Sequence, residues 1–150
     1  MSQEPVAQLV LEKLRALIGD ISPDNGFLSN IFQVLEDDPK LFLDQQLPMP
    51  LVGIKNTSDQ SLRQVHGTSN HSRTFTVVAY VERGQDGQSR QNRLLQDIYR
   101  TFYRPDSIEL DGTSIAIKTG PAQLDDVNLG TDLLPIYLPI TVTFTERNWR

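Results

Sequence analysis

Apolar positions divide the chain into two helical stretches and several strand-like ones. From Glu4 to Ile18, the residues Val6, Leu9, Val10, Leu14, Leu17 and Ile18 recur at the i, i+3, i+4 spacing of one helix face, with Glu12, Lys13 and Arg15 outside that stripe. Pro5 suits the first helical turn and Gly19 the position just past the end. The turn residues Ser22-Pro23-Asp24-Asn25-Gly26 follow. Ile31 to Leu35 then predicts a strand, closed by Glu36-Asp37-Asp38-Pro39. Lys40 to Pro50 has no period, and Pro48 and Pro50 exclude a central strand there. Leu51 to Ile54 predicts a short strand.

Asn56 to Ser72 is the most polar part of the chain, and two readings fit it: a long mobile loop or an extended hairpin arm. In the strand predicted over Arg73 to Glu82, Phe75, Val77, Ala79 and Val81 alternate with Thr74, Thr76, Val78 and Tyr80. The turn Gly84-Gln85-Asp86-Gly87 leads into a second helix from Ser89 to Tyr103, with Leu94, Leu95, Ile98, Tyr99 and Phe102 as its apolar stripe and Pro105 as its stop. Ile108 to Thr119 reads as a hairpin or a bent strand around Asp111-Gly112, with Ile115 and Ile117 facing one way. After the acidic loop Pro121 to Asp132, a long strand runs from Leu134 to Glu146. The order predicts an α+β fold: a mostly antiparallel, four- to five-stranded sheet with two helices packed on one face.

At 150 residues, the chain is expected to form one domain with a core large enough to need no staples. It contains no cysteine, which excludes disulfides, thiolate metal sites and a cysteine nucleophile. Met1 to Pro5 are polar, and no apolar run approaches the roughly 20 residues of a membrane span, so the expectation is a protein made in the cytoplasm, with no membrane partner. The formal net charge of −5 argues against binding driven by phosphate neutralisation. It fits a passage along which DNA slides, because like charge repels phosphates.

Little suggests catalysis or a cofactor. His66 and His71, the only histidines, sit in the polar segment without further ligands and read as solvated. Glu36 to Asp38 and the pair Asp125-Asp126 lack the spacing of a calcium loop and read as solvated turns. No Asp or Glu is expected on a core face, where acid–base chemistry would want one. Gly84-x-x-Gly87 lacks the lysine of a P-loop and reads as a strand-to-helix turn.

Two features suggest an assembly surface instead. Arg90, Arg93, Arg100 and Arg104 fall on one side of the second helix, and the guanidinium fork favours bidentate pairing with carboxylates. The acidic loops Glu36 to Asp38 and Asp125 to Asp132 of a neighbouring subunit, with Asp125, Asp126 and Asp132 foremost, are the expected partners. The strand faces opposite the presumed core carry Thr74, Thr76, Thr141, Thr143 and Thr145 beside Tyr80 and Tyr137, a composition suited to a partly covered surface or a channel wall. Trp149, the only tryptophan, is a candidate anchor for a partner, as are His66 and His71 on the polar segment.

Three stretches carry a resemblance: Gln46-Leu47-Pro48-Met49-Pro50-Leu51-Val52 after an amphipathic helix, Arg73-Thr74-Phe75-Thr76-Val77-Val78-Ala79-Tyr80-Val81 before a polar-start helix, and the closing Leu138-Pro139-Ile140-Thr141-Val142-Thr143-Phe144. In element order, over nearly the whole chain, this resembles the tail terminator and minor tail proteins of long-tailed bacteriophages, although no short motif is diagnostic. The resemblance implies a non-enzymatic virion protein at the head-proximal end of the tail. It implies a ring, typically a hexamer, that caps the tail tube, stops its polymerisation and offers a platform to head-side connector proteins. Itself, the tail tube protein, connector or neck proteins and a sheath are the implied partners, with genomic DNA only passing through the lumen. The segment 57–72 departs from a minimal domain of this kind. A head–tail connector is the nearest alternative, and a small α+β enzyme or ligand-binding domain the alternative of another class.

Overall fold

The computed structural model describes residues 6–45, 48–65, 68–103, 109–110, 113–114, 116–125 and 132–147, of which 44, 61–65, 68–70, 109–110, 113–114 and 145–147 are described by backbone alone. Helix α1, Val6–Gly19, buries Val10, Leu11, Leu14, Leu17 and Ile18. The expected start at Glu4 lies outside the described residues. A 3-10 turn, Pro23–Asn25, ends at Gly26 in the left-handed region (φ 86°), a conformation glycine adopts without steric cost.

The strand expected from Ile31 is shorter than its apolar run. Strand β1 is only Val34–Leu35, because the Ile31 N–H donates to the Ile21 carbonyl at 3.0 Å and holds that stretch against the end of α1. A 3-10 segment, Pro39–Gln45, occupies part of the aperiodic region. Strands β2, Leu51–Val65, and β3, Thr68–Glu82, form a long antiparallel hairpin. Helix α2, Gly87–Phe102, begins two positions before the expected Ser89. Strands β4, Glu109–Leu110, and β5, Thr113–Ser114, form a small hairpin where one was expected. β6, Ala116–Thr119, and β7, Leu133–Arg147, complete the chain. Ile115, expected to share a face with Ile117, lies outside the described residues.

The main sheet has the order β1-β2-β3-β7-β6, antiparallel except for the parallel β1–β2 pair. Both helices lie on one face, as an α+β reading requires. Their apolar stripes pack with Val52, Ile54, Phe75, Val77, Ala79, Ile136, Leu138 and Ile140 in one cluster. Burying each of these side chains other than Ala79 stabilises the fold by roughly 1.5–3 kcal/mol.

The opposite face, expected as a partly covered surface or a channel wall, is covered at one end. Val78 and Tyr80 are fully buried there, because the chain from Asp37 to the 3-10 segment folds across them. A Cβ on Gly53 would collide with the Asp37 carbonyl oxygen and reach Pro39 Cδ at 3.0 Å, so glycine is what permits this close approach. The Tyr80 hydroxyl donates to Asp38 Oδ1 at 3.2 Å, and Lys55 Nζ lies 3.5 Å from Asp38 Oδ2. Burial pushes the Tyr80 phenol up, reinforced by Tyr137 and Asp38, so it stays a donor. Asp38, expected as a solvated turn residue, is therefore engaged, whereas Glu36 is exposed as expected and pairs with Arg15 at 3.7 Å.

Candidate assembly interface

The polar segment resolves in favour of the hairpin arm. β2, β3 and β7 each span 15 residues, about 50 Å at roughly 3.3 Å per residue. Among the described side chains apolar burial ends near Ile54, Phe75 and Phe144, whereas the ladders continue to Val65↔Thr68 and Thr68↔Arg147. Beyond that level the sheet is a three-stranded arm held by its backbone ladders. This explains why apolar periodicity missed the second half of β2: a strand paired on one side needs no buried face to satisfy that side's peptide groups. Register shifts between Asn56 and Ser58 and between Ser61 and Arg63 mark bulges, which increase the local right-handed twist.

A polar staple fastens the base of the arm. Arg73 Nε donates to Asp59 Oδ1 at 2.9 Å, and His71 Nδ1 lies 3.2 Å from Asp59 Oδ2. The hydrogen bond from Arg73, helped by His71 and opposed by partial burial, holds the Asp59 carboxyl below the usual carboxylate range. The His71 ring stacks on Phe144 with centroids 5.6 Å apart. His71 is thus a half-buried strand residue rather than a solvated loop histidine. His66 and Trp149, the other candidate docking residues, lie outside the described residues. On the arm's other face, Thr57 and Thr76 share a hydrogen bond at 2.7 Å and Thr74 and Thr141 share one at 3.3 Å. Cross-strand threonines satisfy one another there, which accounts for their β-rich placement.

Both outer edges of the arm lack a described neighbour. β1 pairs with β2 only at Val52 and Gly53, and β6 pairs with β7 only from Ile140 to Thr143. Among the described residues, no strand flanks β2 from Lys55 to Val65 or β7 from Phe144 to Arg147.

The arginine face of α2 is not the uniform surface the helical wheel suggested. Arg90 Nη1 donates to the Glu82 carbonyl at 3.3 Å. Arg100 Nη1 donates to the Gly26 carbonyl at 3.0 Å and lies 5.1 Å over the Phe27 ring. Each makes a bond to a backbone oxygen of its own chain, and Arg100 Nη1 also lies 3.9 Å from Asp97 Oδ1. Arg93 is exposed and, with Arg90, rims a groove of about 380 Å³ floored by Leu28, Met49, Val81 and Leu94. Arg104 and Asp126 lie outside the described residues. Asp125 and Asp132 are exposed; their carbonyls accept from the Gln123 side chain at 3.1 Å and the Arg83 N–H at 2.9 Å.

One carboxylate does face the core, against expectation. Asp97 is fully buried on α2. Its two oxygens accept the Leu28 N–H at 3.1 Å each, and Oδ2 accepts the Ser29 N–H at 2.7 Å. The same helix buries Gln91, whose Nε2 donates to the Leu124 and Pro135 carbonyls at 2.9 and 2.6 Å, and Thr101, which donates to the Asp97 carbonyl. Each is satisfied by backbone, so this polar row fixes loops onto the helix. Among the described residues no three His, Asp or Glu side chains converge as a metal site. Nor is any described helix long and apolar enough to cross a membrane.

No protein-family model matches the chain, and no curated protein matches it significantly.

Proposed function

We propose that this chain is a structural subunit of a bacteriophage tail, assembling head-to-tail into a ring that caps the tail tube and carries the head-side connector proteins. The observation that supports the reading is the arm: three polar strands standing clear of the core whose outer edges, among the described residues, have no flanking strand. Two different edges on one sheet suit a heterologous contact, the kind that closes into a ring when its rotation permits. The threonine-lined face offers a smooth polar wall, and a net charge of −5 keeps phosphates from adhering to it. In this reading the protein is made in the host cytoplasm and ends at the head-proximal end of the virion tail.

The test is light scattering with mass determination on the purified protein, alone and with tail tubes. A ring-sized species that blocks further tube growth is the expected result, and a strict monomer under both conditions overturns the proposal. Arg93 extends the test, since it is exposed on the groove rim. Arg93→Glu should abolish the ring while shifting stability by no more than about 0.5 kcal/mol, the usual range for surface substitutions.

A further inference from the structure

We infer that neighbouring copies join through the arm, with the outer edge of β2 in one copy adding in parallel to the outer edge of β7 in the next. The argument begins with the peptide groups. From Lys55 to Val65, β2 has β3 on one side and no described strand on the other; β7 from Phe144 to Arg147 is in the same position beyond β6. An unpaired edge presents a row of N–H and C=O groups that templates another strand. Here the two edges lie at the same height. Arg63 pairs with Asn70, and Asn70 with Thr145, so Arg63 and Thr145 occupy one level across the arm.

Direction follows from symmetry. β2 and β7 are each antiparallel to β3, so they run the same way within one copy. Rotation about a ring axis preserves strand direction along that axis, so β2 meets the neighbour's β7 in parallel. It also preserves height, placing Arg63 opposite the neighbour's Thr145 except for the few residues of stagger that strand tilt introduces.

The occupant is a second copy rather than an arbitrary strand for two reasons. The bulges at Asn56/Ser58 and Ser61/Arg63 coil the arm away from a flat template, and a neighbouring arm carries the same coil. The two edges also match, since they run the same way at one level, so identical copies pair without a step.

This inference rests on the ring reading, and the experiment separates the two. The natural chain has no cysteine, so introduced thiols report alone. Single cysteines at each of residues 60–64 are mixed with Thr145→Cys protein and oxidised, while light scattering gives the assembly mass. Strands in register bring Cα atoms to within disulfide range. A ring-sized mass with mixed disulfides that peak at one or two β2 positions, and no disulfide in either variant alone, is the expected result. A ring without mixed disulfides overturns the edge pairing and leaves the ring standing. Disulfides between two β2 cysteines in a species that stops at a dimer overturn both, as does a monomer throughout.

Discussion

Replacing Asp97 tests most directly how this fold secures its loops. The carboxylate is fully buried, yet its three hydrogen bonds reach only two donors, the N–H groups of Leu28 and Ser29, at 2.7 to 3.1 Å. Asp97→Ala removes both partners at once. A donor left without its charged acceptor costs about 1–3 kcal/mol when water cannot reach it. Leu28 is 56% exposed, so its N–H recovers part of that loss from solvent, whereas Ser29 is half-buried and recovers less. The lost carboxyl volume adds a small cavity term. The sum is about 2–4 kcal/mol, within the range for breaking a buried polar network. For a chain of this length that lowers the melting temperature by roughly 6–12 °C. Asp97→Asn keeps one acceptor oxygen but turns an amide donor toward an N–H, and falls between Ala and the natural residue. Urea denaturation with an unchanged slope measures the difference. If Asp97→Ala lies within about 0.5 kcal/mol of the natural protein, the level of a neutral surface change, the carboxylate is not what holds the 28–29 loop.

Gly53→Ala places a methyl against the Asp37 carbonyl and Pro39. It should destabilise by about 1–3 kcal/mol, the cost of overpacking; Gly26→Asn, at an open left-handed position, serves as the control with a near-neutral thermal melt. The Asp59 carboxyl has its folded value depressed by Arg73. Its contribution is therefore fully present above the unfolded value of about 4 and is lost only as pH falls through the lower folded value. Amide-exchange protection of the arm, corrected for intrinsic exchange rates, should stay flat from neutral pH to about 5 and decline below about 4. A decline already complete at pH 5 refutes the Asp59–Arg73 staple.

How legible each element was depended on whether burial or backbone pairing holds it. α1 and the core end of β7 stand out because their apolar residues face one continuous cluster. β2 beyond Ile54 does not, since no apolar side chain is buried there among the described ones and its ladder to β3 leaves no trace in side-chain pattern. Conversely, Ile31 advertises a strand that its hydrogen bond to Ile21 prevents. Asp97 departs from its expected exposure because backbone N–H groups meet its carboxylate inside the fold. A signal did exist: Gln91, Leu94, Ile98 and Thr101 step by three and four residues along the buried side of α2, and Asp97 sits between Leu94 and Thr101 on that row. Arg90 and Arg100 were correctly placed on an outer face, but a helical wheel does not show that the Glu82 and Gly26 carbonyls lie within their reach.

The two ends of the sheet do different work for a physical reason. At the core end, both faces are covered, by helices on one side and by the 37–45 segment on the other, and apolar burial carries the stability. Along the arm, few of the described apolar side chains are buried, and ordering each residue there costs roughly 1–2 kcal/mol of backbone entropy. A ladder bond returns only about 0.5–1.5 kcal/mol net, so a three-stranded polar arm is close to balance on its own. Further pairing along its open edges shifts that balance toward order. Substitutions in the arm should therefore act mainly on assembly, and substitutions around Phe75, Tyr80 and Asp97 mainly on unfolding. That separation makes the ring reading testable without confusing a lost interface with a lost fold.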